Sequence, residues 1–306
     1  MAGRHLALVG PTASGKSELA LALARANPDV ELVSVDSMQV YRGMDIGTAK
    51  PGLEDRAEVI HHMIDIADPA ERFTVTRFRA AALVSLAEIE ARDHVAVVVG
   101  GTGLYLQALI GDLDPPGEWP AVRRRLEAEA DTRVLFARLA HLDPRAAEHI
   151  EADNRRRIVR ALEVCEGSGQ PFSARGPGVG AYLPTERFIL AGIWLPRPAV
   201  ASRIERRVRA MMAAGLLDEV RSLAGRPGGL GPTARQALGY KELLAYIEQG
   251  ADLDTMVAAV VSRTRAFSVR QRRWFRRDPR IRWFGTGANP VALVPPLLRE
   301  LQRCHL

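Results

Sequence analysis

Through its first hundred residues the chain alternates short apolar runs with amphipathic stretches. HLALV (His5–Val9) reads as a buried strand, and Ser14–Ala26 as a helix. ELVSV (Glu31–Val35) reads as a second strand, HHMIDI (His61–Ile66) as a short third, Phe78–Ala91 as a helix and VAVVV (Val95–Val99) as a fully apolar strand. Continuous apolar strands separated by helices predict a parallel sheet covered on both faces. The pattern then changes. GDLDPPGEWP (Gly111–Pro120) reads as a linker, Ala121–Gly167 as helical with one break at Asp143-Pro144, and GSGQPFSARGPGVG (Gly167–Gly180) as a second flexible stretch. RFILAGIWL (Arg187–Leu195) returns to an apolar strand, and Arg197–Arg273 is mostly helical with a loop at Gly225–Pro232. The expected architecture is an α/β core, 1–115 and 186–306, interrupted by an inserted all-helical domain at 116–185. No internal repeat or low-complexity tract is visible.

Composition narrows this picture. With 306 residues, 47% hydrophobic and 25% charged, the chain has the make-up of an ordinary globular protein. No stretch approaches the roughly 20 apolar residues of a membrane helix, and HLALV follows the N-terminus too closely to leave room for a signal peptide. Cys165 and Cys304 make neither a zinc site nor a disulfide framework, so a cytoplasmic location is expected. A net charge of +6 favours a polyanionic partner. Of 42 basic residues only Lys16, Lys50 and Lys241 are lysine. Against that arginine bias, each retained lysine marks a place suited to a compact, flexible charge.

The first chemical motif is GPTASGKS: Gly10, Pro11, Thr12, Ala13, Ser14, Gly15, Lys16 and Ser17. It matches G-x-x-x-x-G-K-[ST] between a predicted strand and a predicted helix, the context a phosphate-binding P-loop requires. Backbone N–H groups would curl around a phosphate at the helix N-terminus. Lys16 would neutralise terminal phosphate oxygens, and Ser17 would hold Mg²⁺. The fold class expected is therefore α/β with a P-loop NTPase-like parallel sheet core. Yet VAVVV runs into GGTGLY (Gly100–Tyr105) with no acid to help hold a metal, and a base-reading N-K-x-D is missing. The acid in position is Asp36, directly after ELVSV. The expected parts of a switch or motor are largely absent.

GPTASGKS, VDSMQVYRGMDIGTAKP (Val35–Pro51), GGTGLY, DNRRRIVRALEV (Asp153–Val164), GYKE (Gly239–Glu242) and RQRRWFR (Arg270–Arg276), taken together and in order, resemble the tRNA dimethylallyltransferase family. The resemblance implies a prenyl transfer. Dimethylallyl diphosphate would sit with its diphosphate in the P-loop, and the exocyclic amine of the adenosine 3′ of the anticodon would attack the allylic carbon. Lys16, Mg²⁺ on Ser17, and Arg203 would stabilise the leaving group, with Arg206 and Arg207 open as alternatives to Arg203. Asp36 matches the family's general base, with a metal-supporting role as its alternative. Thr102 matches a residue that hydrogen-bonds the amine or the diphosphate, although a helix N-cap suits it too. Asp36, Ser37, Met38 and Gln39 match the segment that reads the extruded base, Gln39 alternatively being a loop residue with backbone contacts.

Arg123, Arg156, Arg157 and Arg160 match the family's tRNA-contacting positions, Arg156 and Arg160 sharing one helix face. Leu162 is expected in the core. The run Thr264–Trp283 holds eight arginines, Arg270 and Arg273 among them, interleaved with Phe267, Trp274, Phe275 and Trp283. Its arginines read as RNA-facing and its aromatics as packed inward. Lys50 and Lys241 read as substrate-side contacts, Lys241 toward tRNA. His61 and His62 read as structural, because adjacent strand residues point to opposite faces. Gly103 carries no evident meaning. The resemblance implies a bacterial type without the C-terminal zinc finger of some eukaryotic members. Its expected partners are the tRNA anticodon stem-loop and dimethylallyl diphosphate, with no membrane and no obligatory protein partner. Three rivals remain: a small-metabolite P-loop kinase, an adenylate isopentenyltransferase acting on free nucleotides, and an RNA-binding protein with a vestigial nucleotide site.

Overall fold

The computed structural model describes residues 5–111, 116–174, 180–287, 289–302 and 304. Parts of both expected linkers, at 112–115 and 175–179, lie outside the described residues. Six strands form one parallel sheet: β1 (His5–Val9), β2 (Val30–Val35), β3 (His61–His62), β4 (Val95–Gly100), β5 (Phe188–Trp194) and β6 (Arg282–Gly285), in the order β3-β2-β4-β1-β5-β6. The α/β class expected from the apolar runs is what forms. Alternate residues of β1 enter separate cores, Leu6 and Leu8 on one face of the sheet, Ala7 and Val9 on the other. This alternation is why the strand reads as apolar throughout.

Several element boundaries differ from expectation, each for a local reason. β3 stops after His62, where Met63 and Asp65 take positive φ values of 65° and 57° and turn the chain out of the strand. The helix expected at Phe78 starts at Val75, because Thr74 caps it by accepting from Arg77 N. The sixth strand was not expected at all. The basic run from Thr264 is helical only to Phe275, and Trp283 and Phe284 then add β6 beside β5. After it the helix Val294–Gln302 buries Leu297 and Leu301 in the β1 core.

Residues Gly111–Ala181 form a separate compact unit, against the expected 116–185. Its described residues hold four α-helices rather than two: Pro120–Ala128, Thr132–Leu142, Pro144–His149 and Arg155–Ser168. Asp131, Asp143 and Asn154 each accept from a backbone N–H of the following turn, so polar caps cut the segment where only one proline was legible. Leu162 is fully buried among Leu126, Leu135, Leu139 and Ile158.

The loops after β1, β2 and β4, and the helix Arg197–Ala213 after β5, sit at the carboxyl ends of adjacent strands. In an open parallel sheet this is where ligands bind.

Candidate active site

A cleft of about 570 Å³ lies at this edge, lined among others by Gly15, Lys16, Ser17, Asp36, Gln39, Gly101, Arg203, Arg206, Arg207 and Gln271. The P-loop leaves β1 at Gly10 and enters the helix Lys16–Arg25 through Gly15, whose φ of 82° suits glycine. Lys16 Nζ donates to Pro11 O at 3.2 Å, folding back over its own loop where a phosphate oxygen would accept. Ser14 Oγ is buried without a hydrogen-bond partner among the described residues.

Asp36 follows β2, and its Oδ1 accepts from Met38 N at 2.9 Å and Gln39 N at 3.4 Å. This turn fixes one carboxylate oxygen and leaves Oδ2 without a hydrogen bond among the described residues. Thr102 stands at the head of the helix Gly103–Ile110, where its hydroxyl accepts from Ser37 N at 3.3 Å rather than from its own helix. The β4 turn is thereby tied to the Asp36 loop. Met38 packs against the core.

Of the three candidate arginines, Arg203 braces the loop. Its Nε donates to Ala13 O at 3.0 Å and its Nη2 pairs with Glu18 at 3.0 Å. Arg207 is the guanidinium whose charge acts on Lys16 and which Asp36 in turn steadies. Burial is the main cause of a Lys16 pKa lowered to about 8; Asp36 opposes it and Arg207 adds to it. Burial likewise lowers Arg207, against Asp36 and with Arg203.

One residue of the cleft escaped the sequence reading. Gln271, in the helix Leu253–Phe275, accepts from Thr12 N at 2.8 Å and donates to Gly101 O at 2.8 Å. Its buried amide clasps the P-loop to the β4 turn. Its only signal in sequence is an uncharged position inside an arginine run. Gln271→Leu leaves both backbone groups unpaired, a loss of roughly 2 kcal/mol. Affinity for a diphosphate in this cleft is expected to fall at least tenfold, checked by a binding titration beside a melting curve.

Residues 39–278 match the family model described as IPP transferase. The chain belongs to the IPP transferase family. A tRNA dimethylallyltransferase of Mycobacterium tuberculosis is 44% identical over 293 residues, covering 93% of both chains. One of Bifidobacterium animalis is 42% identical, covering 94% of this chain and 84% of its own. The crystal structure of a tRNA isopentenylpyrophosphate transferase from Bacillus halodurans superposes with a TM-score of 0.71 at 34% identity, covering 99% of this chain and 96% of the other. A eukaryotic dimethylallyltransferase acting on tRNA shares the fold, with a TM-score of 0.77 at 23% identity, covering 98% and 77%.

Within this family member several expectations need correction. Lys50 is not at a substrate surface: its buried amine donates to Tyr41 O at 2.8 Å and pairs with Asp45 at 2.5 Å and Asp65 at 2.6 Å. Gln39 is committed too, accepting from Ser34 Oγ and donating to Thr48 O and Ala49 O. Its amide thus makes the backbone contacts of a loop residue. Arg123 pairs with Glu127 and with buried Glu163, while Arg160 donates to Pro116 O and Gly117 O and pairs with the same Glu163. These two hold the start of the inserted unit together, so Arg156 and Arg160 do not form one open face. Arg156 and Arg157 are exposed with no side-chain partner among the described residues. Arg273 is likewise exposed, Arg270 stacks over Phe267 at 5.7 Å, and exposed Lys241 donates to Gln236 at 3.0 Å.

Gly103 acquires a reason: a Cβ there would overlap the Trp274 indole, which packs on this helix end. Phe275 is buried and Trp274 partly so, but Phe267 lines the cleft and Trp283 is 36% exposed, which limits the expectation of inward packing. His62 pairs with Glu31 at 2.6 Å and His61 bonds Val59 O at 2.8 Å, both structural contacts. Among the described residues no cluster of three acids, histidines or cysteines could hold a metal.

The lowered Lys16 pKa predicts pH-dependent binding of any anion held in the P-loop. With that pKa lowered to about 8, a diphosphate arriving at higher pH would meet a neutral amine and would have to bring a proton with it. Donor kcat/KM is expected to be flat to about pH 8 and to fall about tenfold per unit above it, whereas Lys16→Arg shows no break there. A pH–rate profile from 6.5 to 9.5, roughly spanning that break, checks this.

Proposed function

We propose that this protein transfers a dimethylallyl group from dimethylallyl diphosphate to the exocyclic amine of the adenosine 3′-adjacent to the anticodon of tRNA, releasing diphosphate. One observation carries the reading in the structure. The P-loop shares its cleft with a carboxylate just after β2, Asp36, and with three arginines after β5, while β4 runs into glycines. The names of the relatives in the IPP transferase family point the same way.

The diphosphate sits in the P-loop with Lys16 and Arg207 beside it, and Arg203 holds the loop in shape. As the allylic C–O bond breaks, charge grows on the departing oxygens, and fixed cations and loop dipoles stabilise it. The amine nitrogen forms the new C–N bond, and its proton passes to Asp36 Oδ2, the oxygen the Met38–Gln39 turn leaves open. Thr102 and Gln271 keep the three loops in register.

The donor set fits Mg²⁺. Ser17 and Asp36 offer hard oxygens in the cleft, and Mg²⁺ keeps several waters and substrate phosphates rather than needing a protein cage. When bound through Ser17, the ion would neutralise charge on the diphosphate. Exposed Arg156, Arg157, Arg270, Arg273 and Lys241 would meet RNA phosphates, which a small acceptor would not require. A cytoplasmic location suits a tRNA substrate. A kinase reading has no acid at the end of β4 to support it.

The test is to incubate the protein with labelled dimethylallyl diphosphate, Mg²⁺ and unmodified tRNA. Label recovered at that adenosine supports the reading. Label in free AMP but never in tRNA contradicts it.

A further inference from the structure

Outside the cleft, a second cavity of about 280 Å³ opens between the helices Arg197–Ala213 and Leu253–Phe275 at the end of β5, beside Trp283 of β6. The two spaces use different positions of the same helices. Arg203, Arg207 and Gln271 line the cleft, whereas Val200, Ile204, Val269 and Arg272 line the cavity. Pro11 of the P-loop forms part of its wall.

Two features make the cavity unusual. It is largely apolar, with Trp194 and Trp283 each left 36% exposed. Trp283 lies against Gly192 of β5, where a side chain would collide with it. Its charge is also of one sign: Arg197, Arg265 and Arg272 line it without any carboxylate. Arg265 is paired with Glu205, but Arg197 has no acidic partner among the described residues. The Arg272 guanidinium stacks 3.2 Å over Trp194, and its Nε is buried without a hydrogen bond among the described residues. Arg272 is held below its ordinary pKa first by burial and then by the charges of Arg197 and Arg276. Like charges gathered beside exposed aromatic rings suit a ligand that pairs an anion with a flat apolar face.

We propose that this cavity holds an RNA nucleotide, its base against Trp283 and its phosphate on Arg197 and Arg272, as a second grip on the RNA whose target adenosine occupies the cleft. The proposal rests on the tRNA reading above. Helices shared between the two sites let one RNA strand engage both, and each phosphate neutralised releases counterions.

The test uses the full chain and a fluorescent, unmodified tRNA anticodon stem-loop. In Arg197→Gln/Arg272→Gln, Kd and KM for RNA should rise about tenfold, and the log–log salt slope should drop by roughly 0.7 per arginine removed. The kcat at saturating RNA and the KM for dimethylallyl diphosphate should not change, which also shows that the variant is folded. RNA should quench tryptophan fluorescence in the wild type and quench it less in Trp283→Phe. Unchanged RNA affinity and salt slope would overturn the proposal. A raised donor KM with unchanged RNA binding would also overturn it, by giving the cavity to the isoprenoid. Binding is read without turnover. Weakened RNA binding in a protein that transfers nothing would therefore sink the prenyl-transfer reading and leave the second grip standing.

Discussion

Lys16→Met lowers kcat/KM for dimethylallyl diphosphate by about a thousandfold, the scale expected when one preorganised charge facing a growing anion is removed. The side chain is already bent over the loop, with Nζ on Pro11 O, so little rearrangement separates it from a phosphate oxygen. Methionine matches the length of the stem and fills the space without supplying a donor. Arg207 remains beside the site, and Arg203 stays on Ala13 O and Glu18, so neither takes the place of the amine on Pro11 O. The loss is expected mainly in kcat, since charge on the diphosphate is greatest as the bond breaks. Single-turnover kinetics at saturating donor measure it. A change of less than about fivefold would remove Lys16 from the leaving-group role.

Asp36→Asn is the second large effect, an expected fall of about a thousandfold in kcat with tRNA affinity unchanged within about twofold. The substitution is a sharp one here. Asparagine keeps the oxygen that accepts from Met38 N and Gln39 N, so the turn after β2 persists and only the proton acceptor is lost. A purely structural Asp36 would tolerate the change. Rapid-quench kinetics beside a tRNA binding titration separate the two roles, and near-normal turnover would return Asp36 to metal support.

What was legible in the sequence follows from how local each interaction is. The P-loop could be read because its function resides in consecutive backbone groups, and β1, β2, β4 and β5 because strands covered on both faces are apolar throughout. β6 could not be read: it is a four-residue edge strand with Arg282 at its head, lying where a basic helix was the simpler pattern. Gln271 was missed because its partners lie 259 and 170 residues away along the chain. Lys50 and Arg160 were read outward for the opposite reason. Basic side chains are mostly solvated, and only the fold shows that Asp45 and Asp65, or Glu163, draw these two inward. The need for glycine at Gly103 comes from Trp274, 171 residues along the chain, which lies over it.

The central claim is that the P-loop grips a diphosphate leaving from carbon rather than a phosphoryl group in transfer. Dimethylallyl diphosphate carrying ¹⁸O in the oxygen that bridges carbon and phosphorus tests it directly, with mass spectrometry of both products after turnover on tRNA. All of the ¹⁸O is expected in the released diphosphate and none in the RNA. Heavy oxygen retained on the isoprenoid, or phosphoryl transfer from ATP with the isoprenoid donor untouched, would contradict the account.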